Sequence, residues 1–130
     1  MGFFSSIKNE FNLGRQQAEI QTKLANLQKQ IDVYPSKLIM EGWSQDEEDR
    51  FFMNLFAKAH LLISHKIILN KQPEVLELIN EKVTLAFMNK VVAEAREHKA
   101  SLGPLPIGRF MEEMSIFHLT KFTQLYQSLG

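Results

Sequence analysis

The chain has 130 residues, 45% of them hydrophobic, with no cysteine and with fifteen basic side chains against fifteen acidic ones. A chain of this length can bury a core of its own, so we predict one helical domain over residues 1–130. The lack of cysteine excludes disulfides, thiolate metal sites and a cysteine nucleophile, and the zero net charge disfavours a general attraction to nucleic acids.

The first predicted element, helix 1, covers about residues 5–32. Apolar side chains recur in it and just before it at helical spacing, first Phe3, Phe4, Ile7 and Phe11 and then the heptad seam of Ile20, Leu24, Leu27 and Ile31. We expect the helix to end at Tyr34–Pro35, because a proline disfavours the helical conformation of the residue before it. The residues that follow are predicted to form a connector.

Three more helices are predicted, over about residues 45–70, 73–100 and 109–129. Ser44 and Glu47 form a capping box at the start of helix 2, in which the serine hydroxyl and the glutamate satisfy free backbone amides. Pro73 suits the first turn of helix 3, and Gly103–Pro104 ends that helix.

The pattern predicts an all-α fold, because no segment shows the alternation of apolar and polar residues or the turn signals of β-hairpins. Helices of about 20 to 28 residues have similar lengths and can pack side by side. We therefore predict a four-helix bundle with a roughly up-down-up-down arrangement. In such a bundle, the apolar connectors at residues 33–43 and 102–108 lie at the same pole.

No catalytic motif or metal-binding pattern occurs in the sequence. His60 and His65 share a predicted helix but lie about 140° apart around it, so the two side chains cannot bind one metal ion. The Glu-x-x-His motif of di-iron bundles is absent, and so are the common nucleophile and phosphate-binding motifs. We therefore expect no enzymatic activity, no metal and no cofactor.

The two connectors are unusually apolar for segments that normally face water. They would either pack on each other and close the core, or form a binding surface for another protein. Aromatic, Met and Arg side chains are typical of interface centres. The candidate partner-binding residues are Tyr34, Leu38, Ile39, Met40, Trp43, Leu105, Ile107 and Arg109.

The apolar face of helix 1 is a candidate for self-association, through Phe3, Phe4, Ile7, Phe11, Ile20, Leu24, Leu27 and Ile31. The alternatives are packing of this face within the chain or against a lipid surface, although few basic residues accompany it. The sequence lacks a run of about 18 apolar residues that could span a membrane, and it lacks the pattern of a secretory signal. We expect a soluble, cytoplasmic homodimer that is at most peripheral to a membrane.

Together these features predict a small non-enzymatic module for protein–protein interaction, such as an adaptor, an inhibitor or a regulatory subunit. Its partner would be another protein rather than nucleic acid. The alternative function is a small-molecule-binding bundle, in which the ten phenylalanines and six methionines line a cavity and His60 or His118 provides the polar contact.

Overall fold

Five helices make up the part of the chain that the structure, a computed structural model, describes. This part runs from residue 3 to residue 129, with side chains described except at residues 3–14 and 35–41. The helices are α1 (Phe3–Glu41), α2 (Gln45–Leu69), α3 (Pro73–Lys82), α4 (Leu85–Leu102) and α5 (Ile107–Leu129). No strand occurs in this range, so the predicted all-α class is confirmed. The predicted four-helix bundle is not confirmed, because the same range contains five helices.

Over the residues described, no helix combines the length and the apolar character needed to cross a lipid bilayer.

α1 is longer than the sequence suggests. It does not end at Tyr34–Pro35 but continues to Glu41, so residues 33–41 of the predicted first connector are helical. Pro35 has no amide hydrogen to bond the carbonyl four residues earlier, which costs a helix about 3 kcal/mol. The ring of Tyr34 packs against Phe51 of α2, with centroids 5.4 Å apart. Packing of α1 on α2 thus offsets the local preference against a helix.

The helix predicted over residues 73–100 is divided into α3 and α4 at Val83 and Thr84. Thr84 is extended, with φ −96° and ψ 169°, and its hydroxyl accepts a hydrogen bond from the amide of Phe87 at 3.1 Å. This arrangement is an N-cap, which satisfies a free amide at the start of a helix. The apolar spacing continues across the break, and for that reason it predicts one helix where the structure has two.

α2 is the central helix, because every other helix packs against it. α1 runs antiparallel to α2: Nζ of Lys58 donates a hydrogen bond to Gln28 at 2.6 Å, whereas Ile20 lies near Ile68 at the far end of α2. The start of α2 is therefore level with the later part of α1.

Two buried clusters lie along α2. The cluster near its start contains Ile31, Phe51, Phe52, Leu55, Ala95, Phe110 and Met114. The cluster near its end contains Phe56, Ala59, Ile63, Ile67, Ile79, Val91 and Phe122. α5 enters the first cluster with Phe110 and the second with Phe122, so it runs parallel to α2. α4 runs the other way, from Val91 in the second cluster to Ala95 in the first.

His118 of α5 is a buried polar side chain with 0% of its surface exposed. Its Nδ1 atom lies 2.7 Å from the carbonyl oxygen of Met114 and must carry the hydrogen, because a carbonyl can only accept. Its Nε2 atom is buried without a hydrogen-bond partner in the described part of the chain. Burial lowers the pKa of His118 below the ordinary value of 6.5, against the smaller opposing effect of the bond to Met114. The imidazole is therefore neutral in the folded chain at neutral pH.

Replacing Thr84 with Ala should lower the free energy of unfolding by about 1 kcal/mol, because the amide of Phe87 loses its acceptor. Urea denaturation followed by circular dichroism measures the change. Thr120→Ala is the matched control, since Thr120 is exposed within α5 and alanine is the better helix former there. Equal stability of Thr84→Ala and the wild type would show that the hydroxyl does not support the start of α4.

The free energy of unfolding should decrease as the pH falls below 6.5. The unfolded chain binds a proton at His118 near that pH, whereas the folded chain does so only at its lowered pKa, so stability is complete above 6.5 and is lost below it. His118→Leu should flatten the dependence when urea midpoints are compared between about pH 7.5 and pH 5. His60, whose pKa burial also lowers, would account for the remaining slope. An equally steep curve for His118→Leu would contradict this assignment.

Candidate functional site

The two links between long helices meet at one end of the molecule. Trp43, in the link between α1 and α2, has its ring centroid 5.9 Å from that of Phe110 near the start of α5. Leu105, from the link between α4 and α5, packs with Ile107 against the same buried cluster as Trp43. The start of α2, the end of α4 and the start of α5 therefore surround a common space.

That space is a pocket of about 530 Å³, which we call the pole pocket. Apolar side chains form most of its wall, and three charged side chains lie among them. The lining residues are Trp43, Glu48, Arg96, Lys99, Ala100, Gly103, Leu105, Ile107 and Phe110.

The charged side chains of the pole pocket are paired with one another. Glu48 accepts hydrogen bonds from Lys99 and from Nε of Arg96, the latter at 3.4 Å. Arg96 also forms an ion pair with Asp49, one residue further along α2. The Nζ atom of Lys99 lies 5.8 Å from the ring centroid of Trp43, a cation–π distance. Two cations thus balance two carboxylates, and this side of the pocket carries no net charge.

The local sequence explains how the pocket is built. The hydroxyl of Ser44 accepts a hydrogen bond from the amide of Glu47 at 3.3 Å, which fixes the start of α2 and the direction of the carboxylates that follow. Arg96 and Lys99 are three residues apart in α4 and therefore lie on one side of that helix. Gly103 has a φ of 67°, a left-handed conformation that glycine adopts readily, and it turns the chain at the end of α4.

Four of the described partner-binding candidates lie in or beside this pocket. Trp43, Leu105 and Ile107 line it, and Tyr34 is adjacent, with its ring centroid 5.8 Å from that of Trp43. Arg109 is exposed and is not among the lining residues. The remaining candidates lie outside the described side chains: Leu38, Ile39 and Met40.

The residues predicted for self-association divide into two groups. Ile20 and Ile31 are buried within this chain on the side of α1 that packs against α2, and Leu24 and Leu27 are half-buried. A dimer through this seam would have to detach α1 from α2. The more N-terminal candidates lie outside the described side chains: Phe3, Phe4, Ile7 and Phe11.

Glu48, Arg96 and Lys99 are pocket residues that sequence reasoning misses. The acidic run at residues 46–49 is explained by the positive end of the helix dipole alone, which gives no reason to single out Glu48. The spacing of three residues between Arg96 and Lys99 is the available signal, yet the same spacing is common on solvent-facing helix surfaces. Their pairing with α2 depends on how α4 packs, which spacing does not determine.

The aromatic core near His60 is closely packed. The rings of Phe56 and Phe122 have centroids 4.9 Å apart, and His60 stacks on Phe122 at 5.4 Å. Nε2 of His60 lies 3.1 Å from Oδ1 of Asn80, and burial lowers the pKa of His60 while the Asn80 contact opposes that shift. Among the described residues, no group of three or more histidine or carboxylate side chains is arranged to hold a metal ion.

No protein-family profile, curated protein sequence or solved structure matches this chain.

Proposed function

We propose that this chain is a protein-binding module and that the pole pocket holds an apolar anchor side chain of a protein partner. The observation that carries the proposal is the pocket of about 530 Å³, walled by Trp43, Leu105, Ile107 and Phe110. An adaptor, an inhibitor or a regulatory subunit would each use such a pocket. The cytoplasmic location expected from the sequence stays a prediction.

The chemistry of the wall suits an anchor side chain. Interface centres are rich in aromatic residues and arginine, and they lie in pockets that a partner's side chain can fill. Arg96 and Lys99 both form ion pairs with Glu48. An uncharged anchor side chain that enters the pocket would therefore not bury an unpaired charge.

A small-molecule-binding function is the second candidate, and the same pocket supports it. Its volume falls in the range of about 300 to 1,000 Å³ that is typical of ligand sites. The ligand would place apolar groups on Trp43 and Phe110 and a polar group near Lys99. This version differs from the cavity expected from the sequence, because His60 and His118 do not line the pole pocket.

Ala100→Leu should block the pole pocket without harming the fold. Ala100 is exposed near the end of α4 and lines the pocket, and leucine is nearly as good a helix former as alanine. The matched control is Ala93→Leu, because Ala93 is exposed two turns earlier on α4 and lies outside the pocket. Peptides that lack tryptophan can be selected from a random displayed library for binding to the wild-type chain. They should bind Ala100→Leu at least about tenfold more weakly than they bind the wild type or Ala93→Leu.

Trp43 supplies the measurement, because it is the one tryptophan of the sequence and it lines the pocket. Titration of its fluorescence with a selected peptide reports occupancy at that position. Equal affinity of the peptide for Ala100→Leu and Ala93→Leu would contradict binding in the pole pocket. A small molecule that copurifies with the wild type, is seen by native mass spectrometry and is lost from Ala100→Leu would favour the second candidate.

A further inference from the structure

A smaller cavity lies among α1, α2 and α3, near the end of α2, whereas the pole pocket lies near the start of that helix. Its volume is about 220 Å³, and we call it the α1–α3 pocket. All three helices contribute side chains to its wall, which combines polar and apolar groups. The lining residues are Gln16, Glu19, Ile20, Lys23, Leu61, Ser64, Ile68, Leu76 and Asn80.

Ser64 of α2 gives this pocket a buried polar group, since only 8% of its surface is exposed. Hydroxyl groups inside helices often bond the carbonyl oxygen four residues earlier, as Thr22 and Thr123 do at 3.1 Å and 2.9 Å. The hydroxyl of Ser64 forms no hydrogen bond within residues 15–34 and 42–129, whose side chains the structure describes. Burial of an unpaired hydroxyl is unfavourable, so a bound molecule that bonds to Ser64 would gain stability.

Lys23 of α1 and Asn80 of α3 bring two more hydrogen-bond donors to the same wall. Lys23 forms no ion pair with any described carboxylate. Oδ1 of Asn80 lies 3.1 Å from Nε2 of His60, so its carbonyl side is engaged and its amino group is left to donate. A hydroxyl, an ammonium and an amide thus face one space from three helices. A carboxylate suits these donors, because an ionised carboxylate only accepts hydrogen bonds.

The charges of the α1–α3 pocket also favour an anion. Glu19 is the acidic residue of the wall, and its carboxylate is paired with Nε of Arg15 at 3.4 Å. Lys23 therefore leaves one net positive charge among the lining residues and their ion-pair partners. A negatively charged ligand would complement that charge.

The rest of the wall is aliphatic. Ile20 and Ile68 are buried, and Leu61 and Leu76 are half-buried, so their side chains can cover the hydrocarbon part of a ligand. A volume of about 220 Å³ is the share of liquid volume that about seven water molecules occupy. The pocket is therefore suited to a molecule of metabolite size rather than to a long lipid chain.

We propose that the α1–α3 pocket binds a small carboxylic acid with a short aliphatic chain. The carboxylate would accept hydrogen bonds from Ser64 and Asn80 and pair with Lys23, while the chain lies on the aliphatic wall. Such a ligand contacts α1, α2 and α3 at once and would hold them together by mass action. The site is separate from the pole pocket and does not depend on what that pocket binds.

Titration with hexanoate tests this site, and hexanamide is an uncharged probe of equal size. Amide shifts in ¹H–¹⁵N NMR spectra at pH 7 should saturate with hexanoate and be largest at residues 61–68 and at Asn80. Hydrogen bonds to a charged group are the stronger ones, so hexanoate should bind at least about tenfold more tightly than hexanamide. Equal affinities, no saturation up to about 50 mM hexanoate, or shifts confined to the pole pocket would overturn the proposal.

Two variants assign the polar contacts. Ser64→Ala removes the hydroxyl and Lys23→Gln removes the charge, and both new residues are good helix formers. Each should weaken hexanoate binding at least about fivefold. The matched controls are Ser115→Ala in α5 and Lys29→Gln in α1, because both positions lie outside the α1–α3 pocket. Wild-type affinity in Ser64→Ala and Lys23→Gln, or an equal loss in the controls, would contradict the site, provided that circular dichroism shows unchanged helicity.

Discussion

The packing of Phe51 joins the segments on which the fold and the pole pocket depend. Its buried ring has its centroid 4.7 Å from that of Trp43, 5.4 Å from Tyr34 and 6.0 Å from Phe110. Those partners belong to the α1–α2 link, to α1 and to α5, so one side chain of α2 holds three segments together. Aromatic pairs at such distances contribute about 0.5–1.5 kcal/mol each beyond the burial of their area. The wall of the pocket is thus part of the core.

This shared packing has a consequence for any molecule bound at the pole. An occupant of the pocket contacts Trp43 and Phe110, and both rings pack directly on Phe51. A ligand that binds the folded state stabilises it by mass action, and here it would also stiffen the contact between α1 and α2. Substitutions at these rings would change stability and binding together. Ala100 offers a separate approach to the site, because it is exposed and contributes little to the core.

Local sequence signals predict some elements of this fold well and others poorly. The capping box at Ser44 specifies the start of α2 because its hydrogen bonds are local. Local signals fail at Pro35 and at Thr84. The proline predicts the end of a helix but lies inside α1. The apolar spacing around Thr84 predicts one continuous helix, whereas Thr84 caps the start of α4. At Pro35 the outcome depends on a contact between distant residues, that of Tyr34 with Phe51. At Thr84 it depends on the hydrogen bond of a single hydroxyl.

The candidate site shows the same limit. The sequence identifies Trp43, Leu105 and Ile107 as pocket candidates. They are large apolar residues in or beside links between helices, and such links normally face water. The ion pairs of Glu48 with Arg96 and Lys99 join residues about fifty positions apart, and their partners follow only from the antiparallel packing of α2 and α4. Charged residues on a helix surface carry little information about which of them will pair.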